Sequence, residues 1–254
     1  MADTVLVLSG LDPCAGAGIS ADIETINQFG VSALPLITAL TVQNTQSVEA
    51  INEVDSDILL AQFEHLQSDV AISTVKIGML CSKKQLELVE QMLKQINNPF
   101  VVLDPIMHSS TQQALFDNLA IDQLKNCVLP LVDVLTPNQA ELNRLAPNLS
   151  EVEAVKTLPC RYVLLTKTDV SDDLITHCLY VDGEVRQQFS YVKLPGQYHG
   201  SGCTLASAIS ALLALGVDVV NACQRALDYT YQTLLSAKSV GKMQFNPNRE
   251  TPLT

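Results

Sequence analysis

Two kinds of apolar pattern alternate along the chain. Thr4–Ser9, Leu34–Val42, Thr74–Ile77, Phe100–Leu103 and Val132–Leu135 are short runs rich in Val, Ile and Leu, the composition of strands buried on both faces. Between them, Ala17–Phe29, Asp55–Gln67 and Ser82–Gln95 carry apolar residues at helical spacing. Buried strands separated by amphipathic helices predict a parallel sheet covered on both faces. Beyond Pro159 the rhythm changes. Tyr162–Thr166, Ile175–Val181 and Val185–Val192 read as strands, the last two joined at an Asp182-Gly183 hairpin turn, and the stretch from Gly202 to about Val240 reads as two helices separated near Gly216. The expectation is an α/β fold, mostly parallel with a late antiparallel portion. No linker, repeat or low-complexity tract divides it, so residues 1–254 are expected to form one domain.

Composition narrows the chemistry. Apolar residues make up 47% of the 254 and charged residues 17%, enough to bury one sizeable core. Fifteen Lys and Arg against 27 Asp and Glu leave a formal charge of −12. Such a surface repels phosphate backbones and anionic lipid, so nucleic acid and membranes are poor partners. A phosphorylated ligand would have to meet local positive potential, built from a few lysines and helix N-termini. No stretch reaches the roughly 20 apolar residues of a membrane helix, and the opening MADTVLVLSGLD lacks the basic region of a signal peptide. Seven cysteines with no CxxC pair argue against a disulfide framework or a zinc site. The expected compartment is the reduced cytoplasm.

In open α/β sheets the ligand sits beyond the carboxyl ends of the strands. Gly10 and Asp12, Gln43 and Asn44, Gly78 and Met79, Asp104, and Thr136-Pro137-Asn138 follow successive strands. The sharpest local signal is His199-Gly200-Ser201-Gly202-Cys203-Thr204, just before the apolar helix LASAISALLALG. Its glycines allow a tight turn that presents successive N–H groups at a helix N-terminus, a natural cradle for an anion. A glycine-rich loop can also do no more than turn the chain. Cys203, in the first helical turn, is expected to have its thiol pKa lowered by the helix end and to act as a base. Other readings stay open: Asp22 as a solvated helix residue, Met79 as core filler, His65 and His177 as structural. Thr136-Pro137-Asn138-Gln139 also reads as a helix start, with Thr136 as N-cap. His108 has no partner at metal-ligand spacing.

Taken in order, Gly10-x-Asp12-Pro13, Gly16-Ala17-Gly18-Ile19-x-Ala21-Asp22, Ile37-Thr38-Ala39-Leu40 with Gln43-Asn44-Thr45, Lys76-x-Gly78-Met79-Leu80, Asp104-Pro105-Ile106-Met107, Thr136-Pro137-Asn138 with Glu141, and the HGSGCT segment resemble the hydroxymethylpyrimidine/phosphomethylpyrimidine kinases. That resemblance implies a ribokinase-like fold and an ATP- and Mg²⁺-dependent phosphotransferase of thiamine biosynthesis, acting as a homodimer. Its implied substrate slot is Gly10, Asp22, Gln43, Met79 and Ile106. Gln43 suits it chemically, because an amide can both give to and accept from an aminopyrimidine. Asp104 and Glu141 would hold Mg²⁺, and Lys167, Thr136 and Asn138 would lie near the nucleotide. Gly200, Ser201, Gly202 and Cys203 would serve catalysis.

Three segments depart from the family pattern. Thr168-Asp169-Val170 stands where Gly-Gly-His is usual, His108-Ser109-Ser110-Thr111-Gln112 where a Lys-Ser-Gly loop is typical, and Gly241-Lys242-Met243-Gln244-Phe245-Asn246 where a Gly-Lys-Gly-His-Gly-Pro run occurs. They leave two alternatives open: a pyridoxal-type kinase of the same fold, or a pyrimidine-binding protein with little turnover.

Overall fold

The computed structural model describes residues 3–107, 117–170 and 173–250, without the side chains of 168–170. The departure expected at residues 108–112, with His108 and Ser110, lies outside the described residues, as does the side chain of Asp169. Among the described residues, nine strands form one sheet: β1 (Thr4–Leu11), β2 (Ser32–Gln43), β3 (Val48–Glu53), β4 (Thr74–Ile77), β5 (Phe100–Leu103), β6 (Val134–Leu135), β7 (Tyr162–Val170), β8 (Leu174–Val181) and β9 (Glu184–Val192). Their order is β3-β2-β1-β4-β5-β6-β7-β8-β9. The six strands from β2 to β7 run parallel, and β3, β8 and β9 are antiparallel additions at the two edges. The chain order doubles back at β1, where β2 lies on one side and β4 on the other.

The helices divide between the two faces. On one side α1 (Gly18–Gln28), α7 (Ser201–Ala214) and α8 (Val219–Leu235) cover Val5, Val7, Val102, Val134 and Leu164. On the other, α2 (Ser56–Gln67), α3 (Lys83–Gln95), α4 (Asn118–Gln123), α5 (Gln139–Leu145) and α6 (Glu151–Lys156) meet Leu6, Leu8, Val75, Ile77 and Leu103. Successive strand residues thus point to opposite cores, which is why these strands read as continuous apolar runs. A small ribbon, β10 (Lys238–Ser239) with β11 (Phe245–Asn246), lies apart from the main sheet.

Hydrogen bonds carry the ladder one residue past several strand ends. Gly78 N–H donates to Leu8, Asp104 to Ile77, and Thr136 to Leu103, at 2.8, 2.9 and 3.0 Å. These residues are therefore fixed by the sheet itself at its carboxyl edge. The expected N-cap at Thr136 is corrected by the structure. Asn138 caps α5, and Glu141 returns the bond to the Asn138 N–H at 2.9 Å.

Candidate active site

A cavity of about 710 Å³ opens above the carboxyl ends of the parallel strands. It is lined by Gly10, Gln43, Met79, Asp104, Ile106, Thr136, Asn138, Glu141, Lys167, Gly200, Ser201, Gly202 and Cys203. Residues up to 193 positions apart in sequence are thus gathered on one surface. Asp22 is not among them, which corrects its expected place in the slot. It is fully buried on α1, where its oxygens accept from Lys76 Nζ at 2.8 and 2.9 Å and from Ser207 Oγ at 2.7 Å. A buried carboxylate needs such partners to stay charged.

The slot begins at Gly10. A Cβ there would lie 2.9 Å from Met79 Cε, so the missing side chain is what lets Met79 pack across the strand end. Asp12 anchors the next turn, accepting from the N–H groups of Cys14, Gly16 and Ala17 at 2.8, 2.9 and 2.9 Å and standing 3.3 Å from His199 Nε2. Burial pushes its carboxyl up. Hydrogen bonds from His199, Gln43, Cys14 and Ala17 outweigh that and hold it well below the usual range.

Gly200 caps α7 with φ +88°, a left-handed conformation that favours glycine. A Cβ at this position would stand 1.8 Å from Gly16 O. The two glycine-bearing loops therefore touch backbone to backbone, and the first N–H groups of a 14-residue helix open into the cavity. Gly202 faces Asp104, whose Oδ2 would be 3.4 Å from an added Cβ.

Cys203 differs from its expectation. Burial pushes its thiol up to about 12; Lys76 and the Gly18 N–H pull it down, and Asp22 and Asp104 add to the rise. In the ligand-free cavity, loss of water outweighs the pull of the helix end. Asp104 and Glu141 are raised as well. Burial leads for both, and the Asp104 charge adds to the effect on Glu141, which is carried to about 8. Burial and the neighbouring Asp104 charge disfavour ionised Glu141, a cost that a hard cation at these carboxylates would offset. Their carboxylate oxygens are the donors Mg²⁺ takes, one or two of which commonly hold it while waters and phosphates complete its shell.

Tyr191 and Tyr231, which the sequence pattern did not single out, line the cavity as well, and Lys76 lies buried outside its lining. Lys76, wholly buried, is kept protonated: burial works against it, but Asp22, Cys203 and Asp104 prevail. Its position on a strand of four buried residues was the available signal, since a lysine there requires a counter-charge. Lys167 adopts φ +55° in a β7 bulge, and its N–H donates to His177 Nδ1 at 3.2 Å. His177, Tyr191 and Tyr231 form a ring-lined wall with centroids 5.9 and 5.0 Å apart.

An α/β sheet of this order, with a helix start and an acidic pair at the carboxyl ends of its parallel strands, has the ribokinase-like fold. The fold matches that of the pyridoxal kinase from Staphylococcus aureus in complex with AMP-PCP, with a TM-score of 0.89 over 98% of this chain and 94% of that one. At 21% identity that likeness speaks for the fold alone. The family model described as phosphomethylpyrimidine kinase matches residues 12–248. The hydroxymethylpyrimidine/phosphomethylpyrimidine kinase of Aquifex aeolicus is 32% identical, over 93% of this chain and 96% of that protein. The thiamine biosynthesis bifunctional protein ThiED of Geobacter sulfurreducens is 33% identical, over 94% of this chain and 50% of that protein. The chain belongs to the phosphomethylpyrimidine kinase family. Among the described residues, no helix is long and apolar enough to cross a membrane.

Proposed function

We propose that the cavity transfers the γ-phosphoryl group of ATP to the hydroxymethyl oxygen of hydroxymethylpyrimidine, and then to the resulting monophosphate, in thiamine biosynthesis. The observation that carries this reading is the meeting in one cavity of the α7 N-terminus, the Asp104–Glu141 pair and the Gly10–Gln43–Met79 slot. The slot would hold the ring with Met79 and Ile106 against its faces. Gln43, which lines the slot, carries an amide able both to give to and to accept from an aminopyrimidine.

The alcohol oxygen attacks γ-phosphorus, the bond to the bridging oxygen breaks, and ADP leaves. The backbone N–H groups of Gly200 to Cys203 would stabilise the charge that grows on the transferred group. Lys167, Thr136 and Asn138 would border the nucleotide. Asp104 and Glu141 would hold Mg²⁺, which supplies charge neutralisation at the phosphates. Cys203, whose thiol burial keeps protonated, would donate a hydrogen bond to the transferred group, and the alcohol proton would pass to one of its phosphoryl oxygens. Residues 1–254 would act as one domain, as a homodimer in the cytoplasm; sedimentation equilibrium tests the dimer.

A coupled ADP-release assay across hydroxymethylpyrimidine, its monophosphate and pyridoxal tests the substrate. Turnover of the two pyrimidines well above that of pyridoxal supports the reading. Preference for pyridoxal, or no turnover of any of the three, overturns it.

A further inference from the structure

Arg249 lies one position beyond the stretch that the family model matches and does not line the cavity, yet it is only 3% exposed. Its guanidinium is spent on three separate segments. Nε donates to Thr204 Oγ1 at 2.9 Å, Nη1 to Ala15 O at 3.2 Å and Glu24 Oε2 at 3.0 Å, and Nη2 to Gly16 O. Thr204 in turn bonds Gly200 O through both its N–H and its hydroxyl, each at 2.9 Å. The Gly16 peptide is therefore held at both ends, by Asp12 on its N–H and by Arg249 on its carbonyl. That carbonyl is the atom against which Gly200 packs. The arginine is itself tied down, since Tyr229 Oη donates to its carbonyl at 2.8 Å.

A buried cation beside the N-terminus of α7 opposes the helix dipole, so local electrostatics alone would not select it there. A planar fork with five donors in fixed directions is what four acceptors on three segments require, and lysine cannot reproduce it.

We propose that Arg249 is a positioning residue for phosphoryl transfer: it clamps the Gly16 carbonyl to the first turn of α7, so that the Gly200–Cys203 N–H groups face the cavity in one fixed geometry. The proposal rests on the assignment of that cradle under Proposed function. Slack in such donors lowers turnover while leaving the slot for the ring intact.

The test uses full-length Arg249→Gln, Arg249→Lys and Arg249→Gly, with steady-state kinetics on hydroxymethylpyrimidine and calorimetry with AMP-PCP. Loss of a donor set of this kind predicts kcat lower by about 30-fold in both the Gln and Lys variants, with KM for the pyrimidine within about threefold of wild type. Millimolar guanidinium should restore the Gly variant by about tenfold, and methylammonium should not. Should the arginine variants fail to fold, Thr204→Val removes one acceptor and should lower kcat by about fivefold with the same KM pattern. Equal activity of Lys and wild type, rescue by methylammonium, or a rise in KM matching the fall in kcat overturns the clamp. AMP-PCP binding needs no acceptor substrate. Weaker AMP-PCP binding by the variants of a chain that phosphorylates no pyrimidine would sink the functional reading and keep the clamp; unchanged binding with unchanged kcat would sink the clamp alone.

Discussion

Gln43 and Asp12 both line the cavity, and Gln43 helps to hold the Asp12 carboxyl below the usual range. Its amide can both give to and accept from a pyrimidine ring. Gln43→Ala should weaken hydroxymethylpyrimidine binding by about 1–3 kcal/mol and leave ATP affinity unchanged, as calorimetry with each ligand would show. Equal weakening of both would make Gln43 a support for the loop. Cys203 calls for a different test, because its thiol is held protonated. Cys203→Ala should keep the fold and lower kcat by about 10²-fold, the scale of losing one hydrogen-bond donor to the charge that grows in the transition state. A loss under about threefold would pass the role to the backbone donors. His177 carries a pH signature. Burial, and then the Lys167 charge, press its pKa from 6.5 to about 4. The unfolded chain therefore takes up this proton first as pH falls. Stability owed to the neutral ring is present above about 6.5 and is lost on the way to about 4. His177→Gln should flatten that part of the Tm profile, measured from pH 7 to pH 4 against wild type.

At the scale of elements, the α7 start depends on a residue with no side chain. Gly200→Ala would place a methyl group 1.8 Å from Gly16 O in a backbone conformation of positive φ. Activity should fall by more than 10²-fold even in the folded fraction, because the loop must move by more than the roughly 1 Å that positioning tolerates. Near-normal kcat in the soluble variant would show that the loops need not touch. How much of this could be read from the chain depends on the kind of element. β4 and β5 fall on the residues expected, and Asp55 and Ser82 cap α2 and α3 at the expected edges. Buried parallel strands and capped helices write their periodicity plainly. β3 went unread because an edge strand is half solvated, and Val48, Ala50 and Ile51 among Glu and Asn give no continuous run. The π and 3-10 turns at Leu124–Val128 and Leu129–Leu131 have no apolar period to betray them. The cavity residues were legible as strand-end motifs. Asp22 resembled them in sequence, but its helix turns the carboxylate toward Lys76, a partner 54 positions away that spacing cannot reveal.

For the molecule as a whole, a formal charge of −12 leaves few cations to meet a second phosphate. Among the described residues, the lysines lining the cavity are Lys167 and Lys193; Lys238 and Lys242 are not part of it. The alcohol brings no charge, whereas the monophosphate sets an extra anion close to the incoming phosphate. Its kcat/KM should be lower by about tenfold, equivalent to about 1.4 kcal/mol, and Lys193→Ala should widen that gap in steady-state kinetics at saturating Mg-ATP. Equal use of the two substrates would show that backbone donors suffice. The contacts of Arg249 with Ala15 and Gly16 span 234 and 233 positions of sequence. Such contacts contribute nothing until the sheet between them exists, and distant pairings of this kind form late. Chain diluted from denaturant should therefore regain its far-ultraviolet dichroism before its catalysis, passing through a species with native secondary structure that does not yet turn over.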